Sequence, residues 1–515
     1  MAPSVTPPPD ELRLAGLVRP IWETVLGRPV TTDEDFFEAG GDSLTALAVA
    51  SAVSRATGRP LPAGWLYRHP RFEDGVRSLL QAATAGISAP VTQPRQGHHP
   101  LSFQQEGLLD VIAHIGGNHR YQVAYAVAMD PTVDIGRLQA AWERMPERHP
   151  VLATRLARHG GERVQDVSTA AQPALETIAA PGGGAGQETD RWASAPIALD
   201  EPLVRVGLVR GADGVRLVLA AHQMVMDPWS WGLLLQDLSA LYASPNTEGA
   251  PELAYSDYAR WQRTHLTGDT YARHLDFWRE SADGFPADGM RLPGARGDAG
   301  PAGPAARLPV HIPDARVAAL EAWARAAGAS LFEVLLALFN LAVGRWAGTD
   351  DVLVASATAS RTAPGTQDVA GFFVNGRFTR TRLPAGTVAD LIDRVKQSWR
   401  AADEHRELHL EKTLFDLDRP DMANVKFSLN TVPGLAQLPV LGGQRLRAVP
   451  VTGAASARRH LSVGLTRVGG ALAGAVTYRT DVLGRNAVAG LLGEFDRAQR
   501  AFAAGPDQHI ALTNH

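Results

Sequence analysis

The stretch Ala221-His222-Gln223-Met224-Val225-Met226-Asp227-Pro228-Trp229-Ser230-Trp231 decides how the chain reads. Residues 215–220 ahead of it form an apolar run of the length of a buried strand. Behind it, Leu234, Leu235, Leu238 and Leu241 recur near helical spacing. A His and an Asp five residues apart, between a strand end and a helix start, stand where a rigid scaffold holds functional side chains. The alternation of strand and helix continues outward. Residues 122–129 read as a strand, 135–148 as a helix, and a helical region runs from Tyr255 to Trp278. Gly, Pro and Ala dominate 283–306, which reads as a connection. Beyond it the pattern predicts a short strand at 310–312, helices at 315–327 and 331–346, and strands at 352–357 and 371–375. A helix at 388–406, strands at 425–430, 461–466 and 471–478, and a last helix at 487–503 follow.

With 515 residues the chain has room for several domains and a large core. A net charge of −4 leaves no electrostatic footprint for nucleic acid or an anionic membrane, so neither is expected as a partner. There is no cysteine, which removes disulfides, thiolate metal sites and a cysteine nucleophile together. Any thiol chemistry must come from a prosthetic group. The 16 histidines are scattered without the paired spacing of a metal centre, and no metal is expected. The Pro-rich start lacks the basic and apolar regions of a signal peptide, and the apolar run 334–343 is too short to span a bilayer. A cytoplasmic protein is expected.

The first hundred residues carry a second pattern. Leu14, Leu17, Val18, Ile21, Trp22 and Val25 form a helical stripe that stops at Gly27; another helix runs from Leu44 to Gly58, and short helices follow to about residue 83. Between the first two stands Phe36-Phe37-Glu38-Ala39-Gly40-Gly41-Asp42-Ser43-Leu44. The glycines allow a tight turn, and a helix N-terminus offers free N–H groups and a positive dipole end to a phosphate on Ser43. An N-cap is the plainer role for such a serine. The whole phrase resembles the attachment motif of peptidyl carrier proteins, whose serine bears 4′-phosphopantetheine. That resemblance makes Ser43 the attachment site and implies a phosphopantetheinyl transferase and an adenylation domain or other loading enzyme as partners.

The stretch around His222 resembles the HHxxxDG motif of nonribosomal peptide synthetase condensation domains. His222 and Asp227 match its first His and its Asp, whereas Gln223 replaces the second His and Pro228 the Gly. The segments 100–105, 135–150, 255–262 and 371–375 resemble further signatures of the same family. The implied fold is multidomain: an all-α four-helix carrier domain at 10–83, a linker at 84–99, and an α/β condensation domain. The latter comprises two lobes similar to chloramphenicol acetyltransferase, at 100–282 and 307–505, with 283–306 between them.

The resemblance also implies roles. His222, Gln223 and Asp227 form the catalytic stretch, and Arg361 is the expected partner of Asp227, which makes that carboxylate structural rather than catalytic. His222 reads as a packed, hydrogen-bonding histidine. A carboxamide does not titrate near neutrality, so Gln223 is no general base, although it can hold an amine by a hydrogen bond. Pro228 has no N–H to offer an oxyanion. Ser230, Asn375, Arg377, Asn430, Arg458 and His460 are candidate substrate-binding residues, and the basic ones suit a carboxylate-bearing substrate. Two functions follow. One is an enzyme that transfers an aminoacyl or peptidyl group from the arm on Ser43 to an amine acceptor, working with upstream or downstream modules or carrier proteins. The other is a degenerate platform that docks carriers or recruits a tailoring enzyme. Epimerisation lacks its second-lobe signature, and heterocyclisation would require Asp at 222.

Overall fold

The computed structural model describes residues 8–36, 39, 41, 43–57, 59, 61, 65–82, 90–118, 121–168, 172–180, 184–247, 251–295, 297, 300–361, 363–383, 386–430, 438–451 and 456–504; for Ser43 and Asn430 only the backbone is described. Gly40 and Asp42 of the serine phrase lie outside these residues.

The N-terminal unit consists of the helices Pro9–Leu26, Ser43–Thr57, Trp65–Arg68 and Phe72–Ala82. Gly27, in the left-handed region at φ 69°, ends the first helix, as a residue without a Cβ does most readily. The apolar stripes close around Trp22, whose ring meets Phe36 and Phe72 edge-on at centroid distances of 5.0 and 5.3 Å. Gly41 lies against the Phe36 ring, so that a Cβ there would sit inside the ring, and the second helix starts two residues later at Ser43. The glycine thus lets the chain pass the buried aromatic and deliver Ser43 to a helix start.

The rest of the chain is built on two large sheets with separate cores, beside a three-stranded and a two-stranded sheet. The first is a five-stranded sheet in the order Arg447–Val449, Gln122–Met129, Gly214–His222, Val204–Gly211, Leu175–Ala179. The second has seven strands in the order Val374–Arg382, Asp351–Ala359, Val425–Asn430, Leu461–Val468, Ala471–Arg479, Gly303–Ile312, Ser456–Ala457. Its core is built on the helix Leu331–Ala347, apolar almost all round and buried from Phe332 to Gly344. The chain crosses between the two bodies. Arg447–Val449 pairs antiparallel with Gln122–Met129, and Ala363, Val369, Ala370, Phe372 and Phe373 pack into the core of the first sheet.

Two of the departures from the sequence reading have a plain backbone cause. The expected helix at 135–148 is two helices, Ile135–Glu143 and Met145–Arg148, because Pro146 has no N–H to continue the ladder. The short strand at 310–312 begins at Gly303 and pairs with Ala471–Arg479 from Ala305 to Ile312. Its prolines, Pro304 and Pro309, masked it as connection; Pro304 precedes the ladder that begins at Ala305, and Pro309 lies where the strand has one neighbour among the described residues.

Gly41→Ala should destabilise the carrier unit by about 1–3 kcal/mol, the usual cost of overpacking a filled core. Urea denaturation of the chain checks this, and an unchanged first transition would remove the steric role given to Gly41.

Candidate active site

The strand Gly214–His222 ends at His222, a single 3-10 turn carries Gln223 to Val225, and Asp227 caps the helix Pro228–Ala243. Asp227 Oδ1 accepts from the Ser230 N–H at 2.8 Å. Pro228 is the first residue of that helix, where the missing N–H would have had no intrahelical partner and the fixed φ is already helical. The proline that departs from the motif therefore fits the backbone it stands in.

Asp227 and Arg361 are 3% and 1% exposed and form a buried pair. Arg361 Nη2 donates to Asp227 Oδ1 at 3.0 Å and to Oδ2 at 3.2 Å, while its Nη1 donates to the Thr366 and Val369 carbonyls. The guanidinium lies 4.2 Å above the Phe373 ring. Burial pulls the Arg361 pKa down and the Asp227 charge opposes that shift. Asp227 Oδ2 also accepts from the Phe373 N–H at 3.2 Å. Ser230 Oγ lies 2.6 Å from Asp227 Oδ1 as donor and accepts from the Gly371 N–H at 2.9 Å. One carboxylate thus fastens the loop to the 361–373 segment, contributed by the second half of the chain.

Segments that the sequence marked only as signatures complete the frame. The Tyr255 hydroxyl donates to the Phe372 carbonyl at 2.8 Å and accepts from Ser102 Oγ at 2.7 Å. Gln105 Nε2 donates to the Met224 carbonyl at 3.2 Å, holding the turn beside Gln223 from the other side. Gly371 packs so closely on the Tyr255 ring that a Cβ would overlap it. Nothing in the local sequence names these partners, which lie more than a hundred residues apart.

His222 is buried, and desolvation pushes its pKa down to about 4, so it is neutral at pH 7. Its Nδ1 accepts from the Met224 N–H at 3.2 Å, which leaves the proton on Nε2, an atom without a partner among the described residues. Gln223 is half-buried, and its carboxamide has no hydrogen-bond partner among the described residues. With His222 Nε2, it is the polar group of the loop without a partner among the described residues.

The candidate substrate residues separate. Ser230 is fully buried and engaged by Asp227 and Gly371. Asn375 donates to the Arg406 and Leu408 carbonyls at 2.8 and 2.9 Å and accepts from the Leu410 N–H at 2.9 Å, so its amide clips a chain turn. Arg377 is buried, paired with Asp403 at 2.6 Å and stacked 3.7 Å from the Trp399 ring. Ser230 and Asn375 thus spend their polar groups within the fold, while Arg377 is held by Asp403 with its Nε unpartnered among the described residues. Arg458 and His460 line a cleft elsewhere, and the Asn430 side chain lies outside the described residues.

Residues 95–514 match the family model described as Condensation domain, and residues 16–77 match that described as Phosphopantetheine attachment site. The chain therefore belongs to the condensation-domain family, with a carrier domain of the phosphopantetheine-attachment type ahead of it. Condensation domains as a family are amide-forming acyltransferases. Among relatives, the chain is 29% identical over 531 residues to a linear gramicidin synthase polypeptide of Brevibacillus parabrevis, covering 96% of this chain and 7% of that protein. The chain thus spans less than a tenth of the length of this relative. The X-domain from teicoplanin biosynthesis superposes with a TM-score of 0.72 at 20% identity, covering 82% of this chain and 99% of that one. The first condensation domain of the calcium-dependent antibiotic synthetase gives 0.65 at 19%, covering 80% and 98%. These likenesses establish the two-lobed chloramphenicol-acetyltransferase-like fold.

The cofactor of the carrier domain is covalent 4′-phosphopantetheine. The local chain fits it: the backbone turns past Phe36 where only glycine passes, and the 15-residue helix that follows starts at Ser43. No single helix among the described residues is long and apolar enough to cross a membrane.

Two outcomes test this geometry. Asp227→Ala should cost about 3–5 kcal/mol, since it strands a buried guanidinium. Adding Arg361→Ala should cost much less than the sum of the single losses, as read by denaturant titration. In addition, a His222 pKa depressed from 6.5 to about 4 means that the unfolded state binds more protons between those values. Stability should therefore be full above about pH 6.5 and fall as pH drops toward 4, with a slope that His222→Gln reduces. Melting temperatures recorded across that window would contradict the burial argument if both proteins stayed flat.

Proposed function

We propose that the chain is a carrier–condensation didomain of a nonribosomal peptide synthetase, transferring an aminoacyl or peptidyl group from phosphopantetheine on Ser43 to an amine acceptor. When bound, the arm supplies a thioester on a long tether. The chain's residues supply position. The Asp227–Arg361 network fixes the loop, and Gln223 offers a carboxamide oxygen that accepts a hydrogen bond from the attacking amine and aims its lone pair at the thioester carbonyl. The amine proton leaves to solvent, because no titrating side chain stands at 223, and as the C–N bond forms the acyl C–S bond breaks, leaving a free thiol on the arm.

The observation that carries this reading is a complete loop framework around an unengaged Gln223. General-base assistance is typically worth about 10²–10⁴-fold, whereas orientation of two reactants can contribute about 7–11 kcal/mol. Losing the base slows such a reaction and leaves the benefit of orientation, the greater of the two, in place. The platform reading rests on the same substitution at 223: a domain with no base at that position could retain carrier docking alone.

The test loads Ser43 with a phosphopantetheinyl transferase and acyl-coenzyme A, offers candidate amines with and without a downstream carrier, and follows products by mass spectrometry. Ser43→Ala should abolish loading. Amide should form with the authentic pair and fall only several-fold in Gln223→Ala. Loading elsewhere would sink the carrier assignment, and no amide with authentic substrates, alongside retained carrier binding, would favour the platform.

A further inference from the structure

A cleft of about 730 Å³ opens where the 286–301 connection passes the start of the strand Val425–Asn430. Its wall carries Arg291, Arg458, Arg459, His460 and Arg479. The carboxylates that hold the buried guanidiniums stand behind this wall. Glu411 pairs with Arg458 and, at 2.7 Å, with Arg459, while Asp481 accepts from Arg479 Nε at 3.1 Å. Backbone carbonyls brace them further: Pro420 accepts from Arg458, Ala423 from Arg459, and Gly300 from Arg479 at 2.6 Å. A guanidinium has five N–H donors, and these bonds leave some on each arginine.

The four arginines and Lys426 exceed by one the four acids nearby, Glu411, Asp481, Asp288 and Asp421. Glu411 serves two arginines, and among the described residues the wall's carboxylates are Asp288 and Asp421, the latter 3.9 Å from Arg458 and 2.9 Å from His114. Lys426, half-buried near the same Glu411, has no ion pair among the described residues. Desolvation, then the Arg459 charge, pushes its ammonium down to about 8. Beside it on the same strand, Ser428 is buried with its hydroxyl unpartnered. Arg291 is exposed at the rim with no ion pair among the described residues. Guanidiniums fixed from behind, with free N–H groups, are organised in advance for planar or tetrahedral oxyanions.

We propose that this cleft binds an oxyanion, carboxylate or phosphate, carried by a group that reaches the domain on a pantetheine arm; this rests on the carrier-dependent reading above. The phosphate would belong to the arm and the carboxylate to the acyl group. Arg458 and Arg459 grip the anion, and Arg291 at the rim draws it in.

Calorimetric titration of the full chain, unloaded at Ser43 and at low ionic strength, separates the sources. The probes are pantetheine against 4′-phosphopantetheine, and acetyl-pantetheine against succinyl-pantetheine. At least one charged member should bind about tenfold or more tightly than its neutral counterpart, a difference that about 0.5 M salt shrinks. An advantage in the first pair assigns phosphate, and one in the second assigns carboxylate. It should vanish in Arg459→Met and drop several-fold in Arg291→Met, whose exposed side chain the fold does not need. Equal binding within both pairs overturns the proposal, as does an advantage that survives Arg291→Met undiminished. Because no amide formation is read, failure of acyl transfer leaves this result interpretable.

Discussion

The buried pair between Asp227 and Arg361 is the constraint on which the site depends. Desolvating two charges is costly and is offset only where both are fully bonded. Here the carboxylate meets the guanidinium, the Ser230 N–H and hydroxyl, and the Phe373 N–H, while the guanidinium also serves two carbonyls and lies over the Phe373 ring. The bonds from Asp227 to Arg361 and Phe373 join the loop after the first-sheet strand to a segment more than 130 residues later. The pair therefore sets loop shape and couples it to the 361–373 segment that packs into the first core.

That coupling explains how the loop keeps its shape with two departures from the motif. Pro228 occupies a helical position that suits proline, and Gln223 lies outside the network, where its replacement disturbs no bond. Tyr255, Ser102 and Gln105 hold the same frame from the opposite side. What changes is the chemistry at one position. With His222 neutral and enclosed and Gln223 untitratable, neither position offers a group that titrates near neutral pH.

Periodicity carried much of the fold. The strands Gln122–Met129 and Val425–Asn430 coincide with the apolar runs that predicted them, and the helices Asp314–Ala326 and Leu331–Ala347 begin and end within a residue of their stripes. The strand Gly303–Ile312 was hidden because its outer half is written in Gly, Pro and Ala and is stabilised by pairing with Ala471–Arg479. For the site, residue type was legible, and beyond the Asp227–Arg361 pair that the resemblance implied, partnership was not. Arg377 looks the same in sequence whether it faces a substrate or Asp403, and only the fold brings Asp403 and Trp399 to it. Ser230 and Asn375 likewise use their polar atoms on residues and carbonyls brought in by tertiary packing. The Arg458–Arg459–His460 cluster was visible as charge, while its cleft and the acids behind it required the structure.

We propose that the loop catalyses by position, with no protein group titrating at residue 223. The pH dependence of amide formation by the Ser43-loaded chain, measured in single turnovers with saturating amine, tests it most directly. Positioning alone gives a rate that rises with deprotonation of the amine itself and shifts when an amine of different pKa is used. A rate governed by a fixed protein pKa between about 6 and 7, unmoved by the choice of amine, would reveal a base in the site and contradict the account.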